Sequence, residues 1–384
     1  MAPRFTPTVL LFGNFVIGTS IVAPGGMLAE LSSDLAVSIR AAGLLVTFGA
    51  AALCIFSPLS AWLTGRMDRR ALLVGIVLIV GLGNLLSAFA SSYAVLMAVR
   101  LLMMAVAAPY TPQAAGVVGL IEAPERRGGT IAYIFLGWSL AMAVGLPLVT
   151  MIASSYGWRG AYLFIAALSL VNVPLLIWRL PARIAGSAVA LSTWIELARS
   201  PVVVMLLVIT ALHMAGQFVV FTFMAPLLKQ LADASPAAIA VVFALYGIFG
   251  FIGNLAASRV VDRWGGYRTS LVFVCILLVG VAIWSVGAGH LPLMALGVGL
   301  WGMGFASTNS MQQVRLVSAA PSAAGASVSL NTSFLYIGQA IGSAIGGMLF
   351  ARGLFYAAGY VAASFIVVAL GLVLLTRRVS PGAD

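Results

Sequence analysis

Carboxylates and lysines are scarce in this chain, and their positions are informative. Nine Asp and Glu and one lysine, Lys229, are spread over 384 residues. Each acid (Glu30, Asp34, Asp68, Glu122, Glu125, Glu196, Asp233, Asp262 and Asp384) lies in or beside a break between long apolar runs, none at the middle of one. Because Lys229 is not preceded by a glycine loop, a phosphate-binding GxxxxGK[ST] loop is excluded, and with it ATP hydrolysis of that kind. His213 and His290, and Cys54 and Cys275, fall in separate segments. No metal cluster and no cofactor is therefore expected. The cysteines lie inside apolar runs, where a small polarizable residue packs and a disulfide has no reason to form. No nucleophile stands next to a base at helical spacing, which argues against an intramembrane enzyme. Strand-like alternation is also missing, and the apolar runs are far longer than barrel strands of about ten residues.

What is present is apolar. Hydrophobic residues make up 62% and charged residues 8%, against roughly a quarter charged in soluble domains. Such a chain lives in a bilayer, crossing it as helices of about 20 residues. Twelve spans are read near 7–28, 41–63, 71–90, 94–120, 130–153, 160–180, 202–227, 237–257, 271–286, 292–314, 324–350 and 355–375. The first run is expected to be a span and not a cleaved leader, since eleven more follow it. The net charge of +11 does not point to nucleic acid, because the basic residues alternate by loop. Counted from an interior N-terminus, fifteen of twenty fall on one side, four (Arg40, Arg159, Lys229 and Arg352) on the other, and Arg100 within a span. The positive-inside bias then predicts that both termini are cytoplasmic.

The chain is also doubled. AWLTGRMDRR (61–70) and SRVVDRWGGYR (258–268) align at an offset of 197 residues, setting Arg66 on Arg263, and the same offset sets Gly145 on Gly342. A unit of about half the chain, repeated, is the mark of a transporter made of two six-helix halves. The expected division is 1–180, a linker at 181–200 with an interfacial helix in LSTWIELARS, and 201–384.

The two basic turns resemble those of the major facilitator superfamily, in particular its twelve-span drug:proton antiporter branch, which includes exporters of arabinose-type sugars, purine nucleosides and chloramphenicol. The loop pattern GxLADRxGRR is matched by Leu63, Arg66, Arg69 and Arg70, and departs from it at Ala61, Gly65 and Asp68. The second copy keeps Asp262-Arg263 with Gly265. Arg100 stands where the family has an arginine in span 4, Gly145-Leu146-Pro147 resembles the antiporter motif of span 5 with Val149-Thr150 in place of two glycines, and GWRGAYLF resembles the start of span 6. The resemblance covers nearly the whole chain. It implies an all-α membrane protein with two six-helix bundles related by a pseudo-two-fold axis, whose spans 1, 4, 7 and 10 line a central cavity.

On those spans the spacing groups Arg100, Met104, Ala107 and Thr111; Thr210, His213 and Gln217; and Trp301, Phe305, Thr308 and Gln312. With Asn14 of span 1, the polar and aromatic members form the expected substrate lining, suited to neutral organic ligands. Arg100 either touches substrate or clamps span 1 through backbone carbonyls or Asn14; Trp301 and Phe305 either line the cavity or serve as ordinary packing. His213 is the first candidate for proton coupling, with Glu30 and Asp34 as the exterior alternatives. Arg66, Arg69, Arg70, Asp262 and Arg263 are the gating candidates, Gly145 and Pro147 the antiporter motif. The reading is a monomeric bacterial inner-membrane exporter of small neutral or weakly anionic molecules, exchanging them for protons. Uptake of an organic anion drawn to Arg100, or a scaffold or sensor that kept the fold, are the rivals.

Overall fold

The computed structural model describes residues 6–64, 67–182, 184, 191–320 and 323–376, with the backbone alone at 61–62, 124–129, 132, 191–192, 262 and 324–325. Among them eleven helical stretches are long and apolar enough to cross a membrane. One, Tyr133–Arg179, is two crossings joined at Gly157, so there are twelve spans.

The breaks have local causes. Span 1 (Thr6–Val22) ends in a 3-10 turn, Ala23–Gly26, where Pro24 removes a donor. The stretch LAELSSD between spans 1 and 2 is a short helix, Leu28–Asp34, anchored by buried Leu28 and Leu31. Span 2 (Ile39–Leu63) and span 3 (Arg69–Ala88) begin at Ser38 and Asp68, whose side chains accept from the amides of Ala41 and Ala71 at 3.1 and 2.9 Å. Span 4 is two helices, Tyr93–Ala107 and Tyr110–Ile121, parted at Pro109. Span 5 (from Pro124) passes through a π turn, Ala141–Gly145, just before Pro147. Pro147 has no N–H for the carbonyl of Ala143, so the helix widens there. Span 6 runs from Gly157 to Arg179.

In the second half the linker carries a helix, Leu191–Arg199, with Leu197 buried and Ile195 and Glu196 exposed. Span 7 (Pro201–Phe221) stops earlier than expected: the chain turns at Thr222-Phe223 and a short helix, Met224–Ala232, follows. Spans 8 and 9 form one helical run, Pro236–Val286, broken only at Gly265, so the stretch expected as a basic loop is wound into helix ends. Spans 10, 11 and 12 are Leu291–Ala319, Ala324–Ala351 and Phe355–Leu375.

Both described ends lie on one face, here the terminal face. Thr6 Oγ1 donates to the carbonyl of Arg179 at 2.9 Å, and Arg315 Nη2 donates to Thr376 Oγ1. The opposite face is the distal face. Small residues let the spans approach, as association in lipid requires. On span 11, Gly338, Gly342 and Gly346 lie against the carbonyls of Ala211, Ala215 and Val219 on span 7, where any side chain would collide. Gly145 of span 5 lies against the Thr19 side chain of span 1, so the glycine repeated in the sequence is at a close helix contact in both halves. The two bundles touch from the distal face to mid-membrane. Thr47 Oγ1 of span 2 donates to Ser343 Oγ of span 11 at 2.9 Å, Phe223 covers Gly43, and Gly247 of span 8 abuts the backbone of Met142 and Ala143.

Candidate substrate cavity and gates

In the first bundle a chain of hydrogen bonds joins spans 5, 4 and 1. Trp138 Nε1 donates to Thr111 Oγ1 at 3.1 Å, Thr111 Oγ1 donates to Asn14 Oδ1 at 2.8 Å, and Asn14 Nδ2 donates to the carbonyl of Ile134 at 2.9 Å. Asn14 is buried; Thr111 and Trp138 are half-buried, as are Phe12 and Phe15, whose rings stack with centroids 6.1 Å apart. Trp138, one turn before the π turn, was not singled out in the sequence. Its spacing from Ile134 is the signal that places it on the same face.

Arg100 takes the clamping role. Its Nη1 and Nη2 donate to the carbonyls of Ser20 and Ile21 at 2.6 and 2.5 Å, and its Nε to that of Leu45 at 3.4 Å. Arg100 is 1% exposed, and its guanidinium holds the end of span 1, where the 3-10 turn leaves carbonyls without helical partners. A charge that would be costly in lipid is thereby enclosed by backbone dipoles.

A second chain of hydrogen bonds lies in the second bundle. Trp301 Nε1 donates to Gln217 Oε1 at 2.7 Å, and Gln217 Nε2 lies 3.1 Å from both the carbonyl and Nδ1 of His213. Thr210 turns away to span 11, donating to Asn331 Oδ1 at 2.7 Å. His213 Nε2, Thr308 Oγ1 and both amide atoms of Gln312 are buried without a hydrogen-bond partner. Aromatic rings cover this group on the distal side. Trp301 meets Phe221, Tyr246 and Trp284 at centroid distances of 6.2, 5.6 and 6.4 Å, and Tyr246 meets half-buried Phe305 at 5.5 Å. Tyr246, on span 8, was missed because its run is apolar throughout.

Glu30 and Asp34 stand apart from all of this. They border an open depression of about 760 Å³ on the distal face together with Tyr156 and Arg159. Burial raises the carboxyl of Glu30 above the usual range. Asp34 accepts from Arg159 Nη1 and, at 2.9 Å, from Trp158 Nε1, bonds that hold its carboxyl below the usual range.

At the basic turns, the backbone amide of Arg69 donates to the carbonyl of Ile184 at 3.1 Å and its Nη1 to that of Thr64 at 3.2 Å, tying the turn to the linker. Arg70 is half-buried and Arg263 exposed. Arg66 lies outside the described residues, and Asp262 is described in its backbone alone, which is helical. Gly145 and Pro147 flank the π turn's end, where span 5 touches span 1 through Thr19 and, at Met142-Ala143, span 8 of the other bundle.

The family model of the Major Facilitator Superfamily matches residues 10–341 and 206–384. The chain belongs to that superfamily of membrane transporters, and it is a multi-pass membrane protein. It is 28% identical over 378 residues to the inner membrane transport protein YdhP of Escherichia coli O157:H7, covering 97% of this chain and 96% of that one. It is 26% identical to a protein named "Probable sugar efflux transporter" of Mannheimia succiniciproducens, over 89% of this chain and 86% of that one. Among solved structures, a bacterial homolog of the human lysosomal transporter Spinster, inward-facing and occupied, superposes with a TM-score of 0.74 at 14% identity, covering 98% of both chains.

Proposed function

We propose that this transporter exports small neutral or weakly anionic organic molecules, sugar-, drug- or nucleoside-like, from the bacterial cytoplasm across the inner membrane in exchange for protons. The carrying observation is the character of its interior. Amide, hydroxyl, indole and phenyl groups occupy the expected lining, no carboxylate lies at the middle of a span, and the buried cation Arg100 is spent on backbone carbonyls. Hydrogen-bonding groups among aromatic walls suit a neutral ligand. The names of the relatives and the glycine-proline motif of span 5 support export. By the positive-inside bias the terminal face is cytoplasmic, so a molecule sealed at its distal face is inward-facing. The cycle then alternates this state with one in which the distal contacts part and the terminal ends of the two bundles, 1–180 and 201–384, close. Uptake of an organic anion held by Arg100 gains nothing from this geometry, because each guanidinium nitrogen already has an acceptor.

The test is retention of labelled compounds in cells lacking their own exporters, with and without this chain. Lower retention of a neutral sugar or nucleoside, abolished by a protonophore, is the expected result. Higher retention would make the protein an importer, and unchanged retention across ligand classes would leave a sensor or scaffold.

A further inference from the structure

The hydrogen-bond roles along His213, Gln217 and Trp301 can be assigned without ambiguity. An indole N–H only donates, so the atom of Gln217 facing Trp301 at 2.7 Å is the carbonyl oxygen. The amide nitrogen therefore faces His213 and has two hydrogens to give. One goes to the carbonyl of His213 and the other to Nδ1, both at 3.1 Å. Nδ1 must accept, which puts the proton of the neutral ring on Nε2, the atom with no partner.

This arrangement is incompatible with a protonated imidazole. In the imidazolium both ring nitrogens donate, so Nδ1–H would confront the Gln217 amide hydrogens. Turning the amide over lets Oε1 accept from Nδ1–H, at the cost of the bond to the carbonyl of His213, which Oε1 cannot make. The same turn brings the NH2 group against the indole N–H of Trp301, a second donor against a donor. Trp301 must then withdraw from Gln217. Its ring is in edge contact with Phe221, Tyr246 and Trp284, and Tyr246 leans on Phe305.

We infer that Gln217 is a two-position switch that converts the charge of His213 into the position of Trp301 and, through it, of the aromatic wall beside the substrate cavity. Gln217 is a positioning residue, with no part in carrying the proton. The inference rests on the proton-coupled reading for its use, though its geometry does not require it. The elements packed on span 7 are spans 8, 10, 11 and 12, the linker helix and the short helix after Phe223. Their titratable or charged groups are Tyr246 and Arg259 on span 8, Arg315 on span 10, Tyr336 on span 11, Tyr356 and Tyr360 on span 12, Glu196 and Arg199 on the linker helix, and Lys229 on the short helix. None of them hydrogen-bonds or pairs with His213. The ring's charge is answered by Gln217 alone among the described residues.

The test is fluorine NMR of the full chain carrying 5-fluorotryptophan in lipid nanodiscs, with the Trp301 resonance assigned by its loss in Trp301→Phe. Lowering the pH should move that resonance in the wild type, and the movement should vanish in His213→Gln, which cannot titrate, and in Gln217→Met, which has nothing to turn over. A stationary Trp301 resonance in the wild type, or the same pH response in Gln217→Met, overturns the switch. Transport driven by an imposed pH gradient is measured in parallel. If Trp301 moves in the pattern above but no gradient-driven transport is seen, the switch stands and proton-coupled export falls; if gradient-driven transport persists with Trp301 stationary, the switch falls alone.

Discussion

Phe223 occupies the space that a side chain on Gly43 would need. A Cβ added at Gly43 would come within 2.7 Å of Phe223 Cε1, and on its other side Phe223 lies against Gly346 and Gly347 of span 11, its ring stacked on Phe350 at 5.7 Å. One aromatic ring from the second bundle thus seals the distal face by fitting a notch in the first.

Gly43→Ala should hold the distal face open. The readout is labelling of a Ser343→Cys reporter by a membrane-impermeant maleimide, in a background lacking Cys54 and Cys275. Labelling is expected to rise severalfold in Gly43→Ala and to return toward the parent level in Gly43→Ala with Phe223→Leu, since contacting residues are not additive. Equal labelling in both variants would show that the notch is not the seal.

Arg100 should matter for stability before it matters for affinity. Replacing it by Gln removes charge-assisted bonds to the carbonyls of Ser20 and Ile21, at a cost of about 2–4 kcal/mol on the scale of hydrogen bonds to charged groups. Thermal unfolding in detergent should shift down clearly while the Kd for substrate in the surviving protein changes less than about threefold, under 1 kcal/mol. A large loss of affinity with unchanged melting would return Arg100 to the binding site.

Asp34 should be silent in the pH profile of transport. Its carboxyl is held low, first by the bond from Arg159 and then by that from Trp158. A group whose folded value is depressed contributes stability that is present above its ordinary value of 3.8 and is lost as pH falls through the lower folded value. From about pH 5 upward its contribution is constant, so it carries no proton in the working range. Asp34→Asn is expected to leave the midpoint of the transport profile between about pH 5 and 8 in place; a displaced midpoint would bring Asp34 into the coupling.

Charge selectivity follows from the absence of a carboxylate at the middle of any span. Lipophilic cations lack a partner inside, and removing a charge from water without one is costly. Expression in sensitive cells should give little protection against quaternary ammonium dyes. Strong resistance to them would contradict a neutral-ligand lining.

Most of the architecture is legible in the sequence because a bilayer imposes simple demands: length, apolarity and charge by loop. The spans, their number and the doubled plan follow from those demands. What escapes is set by single residues acting on the backbone. Pro109 divides span 4, and Pro147 produces the π turn of span 5, effects that apolar runs do not announce. Helical spacing correctly put His213 and Gln217 together, yet it also grouped Thr210 with them, whereas Thr210 bonds Asn331 across to span 11. A helical face is broad enough to serve two neighbours, and only the third dimension says which. Arg100 was legible as a residue that must avoid lipid, and of the two roles the sequence leaves open it forms the clamp on span 1 through backbone carbonyls.

Gly157 and Gly265 share one backbone conformation, φ 79° and ψ 163° against φ 75° and ψ 161°, and both join a span to the next without a loop. One sits on the distal face, the other on the terminal face. The same mechanical joint has been used upright and upside down, which means that its shape carries no information about sidedness. That information is left to the surrounding side chains: Arg263 and Arg268 flank Gly265 with Arg259 a turn before, while Gly157 has Arg159 alone, already neutralised by Asp34. Moving two or three arginines from one joint to the other would weaken the instruction given to the insertion machinery and leave the hinge itself untouched.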